Sequence, residues 1–374
     1  MGNWIDKLAR LPHNPDGSLL SGTVAPALQS PSSSPGIWYE TPYDFLPEFD
    51  LLWTCQQFLD LKVYAFTSAQ AAADPTSAPY ITLTLPDPEP GNVNPVKVSS
   101  VGFAPNGDMW VSYANSDQTS VNGPRYLSKL SASKLGVTAS VTPDFSFQLP
   151  GGAGVSAVGV NAIAFAPNGD MWLSTIALTT ASAGILKYTA ASIASPGSPS
   201  PAVVLAQPFP PVPDNPQHTN AANDLWFDAA GNLWFTNALA STVNRLSAAQ
   251  LATTNTAIVP HVILSIGTHT GVTLDAIGNL WCATTTGFVR MFAAADILAS
   301  GSPVPARTIT IPAGPNKIRF DKSGNLWAQG ASFNHAYAPL SIAASGAPTP
   351  SSILTSGGVL TARRMFSFNP QSFV

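Results

Sequence analysis

One ten-residue pattern occurs five times in this chain, and it constrains the fold more than any other feature. In each copy an apolar segment leads into a turn that contains Gly beside Asn or Asp, and a Trp follows three residues after the Gly. Gly and Asn tolerate the positive φ angles of tight hairpin turns. Each copy therefore predicts two antiparallel strands joined by a short turn. The copies are residues 101–110, 163–172, 225–234, 272–281 and 318–327.

A second, weaker module follows each Trp. It reads as a short strand that leads into an Ala-containing turn, then a loop rich in Pro or Thr, then a fourth strand. Four antiparallel strands in each repeat of this length are typical of a β-propeller blade. Examples of the third-strand module are residues 129–132, 187–190, 245–248 and 290–293, and examples of the fourth strand are 202–206 and 308–311.

A sixth blade is divided between the two ends of the chain. Residues 51–55, 63–66 and 80–84 copy the second, third and fourth strands, and the missing first strand is found at 365–374. In four repeats a Phe stands seven residues before the Trp, but seven residues beyond Phe368 the chain has already ended, so Trp53 takes over. We expect an all-β fold, a six-bladed propeller of four antiparallel strands per blade. The C-terminal strand (about 362–374) completes the N-terminal blade (about 51–86), which leaves no free sheet edge.

These hairpins, of the form Phe-Asp-x-x-Gly-Asn-Leu-Trp, resemble those of NHL-repeat propellers. They are also similar to hairpins of the gluconolactonase/regucalcin and virginiamycin B lyase propellers, over roughly residues 51–374. The repeated residues build the hairpin and the core, so the resemblance specifies architecture and not activity.

Each resemblance also implies a chemistry. The gluconolactonase resemblance implies a divalent metal held by Glu, Asn and Asp around the central channel. All three glutamates, Glu40, Glu48 and Glu89, precede the five complete repeats, so the Glu ligand has no evident counterpart. The lyase resemblance implies a His base and Mg²⁺, for which His218 and His269 stand in plausible loops.

The conspicuous repeated residues have structural interpretations. One Trp at the same position of every blade indicates packing between blades rather than a stacking platform for bases or sugars. The Asn-Gly-Asp turns at 106–108 and 168–170 carry one carboxylate each, whereas Ca²⁺ binds six or more oxygens. Cys55 and Cys282 lie in blades that are not neighbours, so we expect two buried, inert thiols.

Candidate ligand-binding residues stand just before the first strand of each blade, where propellers of this type line the entrance to the central channel. A ring of Asn, His and Arg can hold an anionic or sugar ligand or a metal, and it can equally be a solvated lining. The candidates are Asn161, His218, Asn223, Asp224, His269, Asn316 and Arg363, with Asn220, Lys317 and Arg364 beside them.

Composition excludes several classes of partner. Charged residues make up 10% of the chain, the formal net charge is −4, and no basic run is present, which argues against nucleic acid. No apolar run approaches the length that crosses a bilayer. The N-terminus lacks a basic region followed by an apolar core, so we expect no signal peptide and an intracellular or virion location.

Residues 1–50 do not fit the repeat, and their Ser, Pro and Gly content favours an extended N-terminal arm. Its large apolar side chains have no blade to enter, so we expect them to contact a partner subunit or the chain's own propeller. These side chains are Trp4, Trp38, Tyr39, Tyr43 and Phe45.

The leading functional hypothesis is a non-enzymatic structural or interaction protein without a cofactor or bound metal. The propeller would be a rigid display or binding disc, anchored in a larger assembly by the arm, for example as a decoration, tail or fibre-associated subunit of a phage virion. The alternatives are a hydrolase or lyase with a divalent metal at the channel mouth, and a sugar- or peptide-binding module.

Overall fold

The computed structural model describes residues 51–56, 60–67, 78–88, 90, 96–115, 125–149, 157–177, 184–206, 222–237, 240–255, 257–284, 286–312, 314–321, 323–330, 333–355 and 364–368. The N-terminal arm, His218, Asn220 and Arg363 lie outside these residues. Every described residue belongs to one compact unit, Asp50–Val374. Helical structure in the described part is limited to four single 3-10 turns, and none of its helices is long and apolar enough to cross a membrane.

The described part contains 25 strands. They are β1 Leu51–Gln56, β2 Lys62–Thr67, β3 Ile81–Thr84, β4 Val96–Phe103, β5 Met109–Asn115, β6 Tyr126–Leu130, β7 Ala139–Ser140, β8 Phe145–Gln148, β9 Ala157–Phe165, β10 Met171–Ala177, β11 Gly184–Tyr188, β12 Val203–Ala206, β13 Leu225–Phe227, β14 Leu233–Asn237, β15 Thr242–Leu246, β16 Val262–Leu264, β17 Gly271–Leu274, β18 Leu280–Thr284, β19 Phe288–Phe292, β20 Arg307–Thr310, β21 Lys317–Phe320, β22 Leu326–Gln329, β23 Phe333–Tyr337, β24 Ser352–Thr355 and β25 Arg364–Phe368.

These strands form six sheets, each with four antiparallel strands, which confirms the predicted six-bladed propeller. Blade 1 is β4-β5-β6-β8 and blade 2 is β9-β10-β11-β12. Blades 3, 4 and 5 are β13–β16, β17–β20 and β21–β24 in sequence order. The closing blade has the order β25-β1-β2-β3. The first strand of each blade contacts the first strands of both neighbouring blades, so these six inner strands surround a central axis.

The ring is closed as the sequence predicts. Strand β25 pairs antiparallel with β1, with Phe368 opposite Leu52 and Ser367 opposite Trp53. The structure describes this strand over Arg364–Phe368. The rest of the predicted segment 362–374 lies outside the described residues. The closing blade also gains an unpredicted fifth strand, since β7 of blade 1 pairs in parallel with β3.

The repeated hairpin is held by one carboxylate in blades 3, 4 and 5. In blade 3, Asp228 Oδ1 accepts the backbone N–H of Ala230 and Asn232, and its Oδ2 accepts the indole Nε1–H of Trp234 at 3.1 Å. Gly231 completes the turn at φ 77°, a conformation that favours glycine. Asp275 and Asp321 make the same indole contact in blades 4 and 5.

The hairpin turn is also joined to the third strand of its blade. Asn232 Oδ1 accepts the backbone N–H of Ala248, in the Ala-containing turn that the sequence shows after each third strand. In blade 1 the Asn position is occupied by Asp108, whose Oδ1 accepts the N–H of Ala132 and whose Oδ2 pairs with Lys129 at 2.9 Å. The carboxylates of the Asn-Gly-Asp turns are therefore hydrogen-bonded within the blade, in agreement with their predicted role in turn formation.

Neighbouring blades are joined by a second repeated device, which we call the latch. In blade 4, Ser300 Oγ accepts the N–H of Ile263 from blade 3, and the N–H of Gly301 donates to the Ile263 carbonyl. Each latch ties the loop before a fourth strand to the outer strand of the preceding blade. Thr138, Thr254 and Ser345 supply the hydroxyl in the other three described latches.

The six repeated Trp side chains are buried between blades, as predicted, with at most 2% of their surface exposed. Cys55 and Cys282 are buried, and neither forms a disulfide. Burial raises the pKa of Cys282 well above its ordinary value, and the nearby Asp224 carboxylate adds to this shift.

Candidate functional site

Three charged side chains from two blades meet across the axis between the inner strands. We call Asp224, Lys317 and Arg319 the axial cluster. Asp224 precedes β13 of blade 3, whereas Lys317 and Arg319 both lie on β21 of blade 5, two blades further round the ring. The ring brings them together over blade 4, although Asp224 and Arg319 are 95 residues apart in sequence.

The carboxylate of Asp224 is saturated with donors. Arg319 binds it in a bidentate manner, with Nη2 at 2.7 Å from Oδ1 and Nη1 at 2.8 Å from Oδ2. Lys317 Nζ lies 3.1 Å from Oδ1. The backbone N–H groups of Val272 and Leu225 donate to Oδ2 and Oδ1, at 3.0 and 3.1 Å. Five donors thus share the roughly four lone-pair positions of a carboxylate, so no oxygen is left for a metal or a substrate proton.

The two cations also bind backbone carbonyls of the inner strands. Arg319 Nη1 donates to the carbonyls of Val272 and Ile318, at 3.1 and 2.7 Å, and Lys317 Nζ donates to the carbonyl of Asn223. The inner strands are the edges of their sheets, so these backbone groups have no ladder partner on the axial side. The axial cluster therefore supplies hydrogen bonds to the strand edges and joins blades 3, 4 and 5.

Trp226 of β13 lies beside the cluster, with the Arg319 guanidinium 5.1 Å from its ring centroid. At the same position of the hairpin, one residue before the Phe or Leu that ends the strand, blades 1, 2 and 4 have smaller residues, Gly102, Ala164 and Thr273. A large ring and a long guanidinium thus replace small residues at this position, and their contact has cation–π geometry.

Burial and charge act in opposite directions on the cluster. Burial would raise the pKa of the Asp224 carboxyl, but the charges of Arg319 and Lys317 hold that pKa below its usual value. Burial lowers the pKa of Lys317 to about 8. Asp224 opposes this shift and Arg319 adds to it. One carboxylate between two cations leaves the cluster with an excess positive charge.

His269 lies before β17 and is a separate feature from the axial cluster. Its side chain is fully buried, its Nδ1 lies 2.7 Å from the carbonyl oxygen of Gly267, and its Nε2 has no hydrogen-bond partner. Burial lowers the pKa of this imidazole to about 4, so the ring is neutral at pH 7. No group of three or more His, Cys, Asp or Glu side chains that could hold a metal occurs among the described residues.

The predicted candidates thus fall into three groups. Asn223, Asp224 and Lys317 are brought together, the first through its carbonyl oxygen. Asn161 is half-buried on β9. The backbone N–H of Asn316 donates to the carbonyl oxygen of Gln329, which extends the pairing of β21 with β22 by one hydrogen bond. Arg364 pairs through its backbone with Gln56. His218, Asn220 and Arg363 lie outside the described residues.

Sequence reasoning missed Arg319, which completes the axial cluster, and Trp226, which packs against it. Both lie inside the repeated hairpin, whose repeated residues indicate turn and core formation. The signal was present, because a charged and a very large residue stand at a position that is small in three other blades.

No family model matches this chain, and no curated protein matches its sequence. A protein of unknown function from Bacteroides caccae has a similar structure, with a TM-score of 0.51 at 10% identity over 85% of this chain and 98% of the other. A streptogramin B lyase has a TM-score of 0.46 at 17% identity, covering 86% of this chain and 90% of the lyase. A putative gluconolactonase has a TM-score of 0.41 at 13% identity, covering 73% of this chain and 88% of that protein. The resemblance to NHL-like six-bladed propellers is confirmed as a likeness of fold, and it carries nothing about activity.

Proposed function

We propose that this protein is a non-enzymatic structural or interaction protein whose propeller is a rigid disc and whose residues 1–50 anchor it to partner subunits. The observation that carries this proposal is the donor-saturated carboxylate of Asp224. The charged side chains near the axis bind one another and the strand edges, so they stabilise the ring and leave no oxygen of Asp224 free for a ligand.

Rigidity of the disc is supported by the repeated bonds within and between blades. Each hairpin turn of blades 1 to 4 is bonded to the turn after its own third strand, through Asp or Asn. The latches add side-chain and backbone hydrogen bonds between neighbouring blades. A disc of this kind presents loops in fixed positions, which suits display or docking.

The composition of residues 1–50 supports the proposed role of this arm in binding partner subunits. Its aromatic residues, Trp4, Trp38, Tyr39, Tyr43 and Phe45, combine large contact area with few rotatable bonds, as protein interfaces favour. An extended arm that locks subunits together, attached to a weakly charged disc, fits a component of a virus particle such as a phage decoration, tail or fibre-associated subunit.

The proposal is tested by comparing the full chain with a chain that lacks residues 1–45. We expect the full chain to enter larger assemblies, measured by light scattering after size exclusion, and the shortened chain to remain a folded monomer by circular dichroism. A full-length variant with Trp38→Ala and Tyr39→Ala keeps the arm's length and should assemble more weakly. A full chain that is monomeric at all concentrations, alone and with its co-purifying proteins, would contradict the anchor.

An enzymatic function is tested on the same preparation. Titration with Mg²⁺, Ca²⁺ and Zn²⁺, followed by assays with lactones and with cyclic-ester substrates of lyases, should show neither binding nor turnover. Turnover that His269→Gln abolishes would replace the proposal with a hydrolase or lyase that uses this neutral imidazole.

A further inference from the structure

The interface between blade 5 and the closing blade, which we call the seam, differs from the other blade interfaces. Its described apolar cluster consists of Leu52, Tyr64, Phe66, Trp327 and Ala336. Beside that cluster lie polar side chains that are buried without hydrogen-bond partners. They are Gln329 and Asn334, in which neither the amide oxygen nor the amide nitrogen is bonded, and Thr54, whose hydroxyl is unbonded.

Strand register places all three on the seam. Gln329 lies opposite Asn334, and Trp327 lies opposite Ala336 two residues away along the same pair of strands. Because side chains two residues apart share a face, Gln329 and Asn334 face the closing blade together with Trp327. Thr54 lies opposite Tyr64, a member of the seam cluster, so it faces blade 5. Gln329 and Thr54 have no measurable exposure, and Asn334 has 1%.

The same positions in the other blades do not combine these polar groups. The residue equivalent to Asn334, two before the partner of the repeated Trp, is a buried apolar residue in every other blade: Val63, Leu127, Ile185, Val243 and Val289. The position of Gln329, two after the Trp, is otherwise small: Cys55, Ser112, Ser174, Thr236 and Ala283. The position of Thr54, one after the Trp, is otherwise apolar: Val111, Leu173, Phe235, Cys282 and Ala328.

We infer that the seam is the joint at which this ring opens. In the closed ring five polar atoms are removed from water and gain no hydrogen bond in exchange, which is unfavourable for each of them. Opening the seam returns these five atoms to water. At the other interfaces the position of Asn334 is apolar and the position of Gln329 is a small residue without an amide. The seam also lies beside the one blade that is completed by strand pairing between the two chain ends. Local opening therefore costs least between blade 5 and the closing blade. This inference does not depend on the proposed function.

Hydrogen exchange of the full chain, followed by mass spectrometry, tests the inference. We expect amides of β22 and β23 to exchange about tenfold faster than those of β14 and β15 in blade 3, through openings that leave blade 3 protected. Replacement of the seam residues by apolar residues of similar shape, in the variant Thr54→Val, Gln329→Met, Asn334→Leu, should remove this difference and leave blade 3 unchanged.

Thermal unfolding of single variants gives an independent measurement. Asn334→Leu removes an unbonded buried amide and inserts the residue that blade 1 has at this position, so we expect a midpoint about 2 °C higher. The control is Asn244→Leu, since Asn244 is a buried Asn whose Nδ2 donates to Thr242 Oγ1 at 3.1 Å. That variant should lower the midpoint. If both variants lower the midpoint equally, or if exchange at the seam matches that of blade 3, the inference is wrong.

Discussion

The guanidinium of Arg319 binds both carboxylate oxygens of Asp224, and this pair joins blade 5 to blade 3 across the inner strand of blade 4. Hydrogen bonds from Arg319 to the Val272 carbonyl and from the Val272 N–H to Asp224 include blade 4 in the same arrangement. A propeller has no continuous sheet through its centre, so side chains at the axis are the means of tying non-neighbouring blades together.

Asp224→Asn is expected to destabilise the propeller strongly. The substitution keeps the shape of the side chain but leaves Lys317 and Arg319 as two buried cations without their anion. Breaking a buried ion pair from one side costs about 3 to 5 kcal/mol. Urea denaturation followed by Trp fluorescence measures the loss. Asp296→Asn, at an exposed carboxylate in a 3-10 turn, is the control and should change stability by no more than about 0.5 kcal/mol. Equal effects of the two variants would show that the axial cluster contributes nothing.

Lys317→Met is expected to change the pH dependence of stability. The folded chain releases the Lys317 proton near pH 8, whereas an unfolded lysine holds its proton to about 10.5. Between these values the unfolded state binds more protons, so the lysine makes the free energy of unfolding rise as pH increases above 8. The buried thiol of Cys282 and buried tyrosines, with raised pKa values, act in the opposite direction above about pH 9.

The measurement for this prediction is the difference in unfolding free energy between wild type and Lys317→Met, taken at intervals from pH 7 to 9.5. Contributions of Cys282 and the tyrosines are common to both proteins and cancel. Lys317→Met should be as stable as wild type or more stable at pH 7, and its advantage should shrink as pH rises. A constant difference over this range would mean that Lys317 titrates as in the unfolded chain.

The architecture was predictable because its determinants are local and repeated. Gly beside Asn or Asp predicts each hairpin turn. The seven-residue interval from Phe to Trp predicts that Phe368 and Trp53 belong to one blade. The axial cluster was only half predictable. Asp224 and Lys317 precede or begin inner strands, but the contact of Lys317 and Arg319 with Asp224 depends on the curvature of three blades, which no local pattern contains.

The latches were missed for a different reason. Ser300 and Ser345 stand in Ala-Ser-Gly-x-Pro segments, which are ordinary loop composition when each is read alone. Their meaning depends on the preceding blade, whose outer strand offers an N–H at that point. The repetition of these segments, rather than their composition, was the available signal.

The link between a hairpin turn and the third strand can be measured with two asparagines of this chain. Asn279 of blade 4 donates to Asp275 and accepts the N–H of Ala294. Asn325 of blade 5 makes the same bond to Asp321, but the residue in the place of Ala294 is Pro339, which has no N–H to donate. Asn279→Ala should therefore cost about 1 kcal/mol more than Asn325→Ala. Denaturation of both variants tests this difference, and equal losses would show that the bond to Ala294 has no net value.

Labelling of the two thiols tests whether the blade interfaces that bury them open in the native protein. Cys55 and Cys282 have no exposed surface, and burial raises the pKa of Cys282 well above its usual value, so little reactive thiolate is present. We expect no labelling of either thiol by iodoacetamide in the native protein at pH 7.5 and full labelling of both in urea, as determined by peptide mass spectrometry.

Cys55 lies on β1 of the closing blade and faces blade 1, whereas Cys282 lies between blades 3 and 4. Faster labelling of Cys282 than of Cys55 in the native state would show that the interface between blades 3 and 4 opens more readily than the interface between the closing blade and blade 1. Slow labelling of both at one common rate would indicate that these two interfaces open only when the whole propeller unfolds.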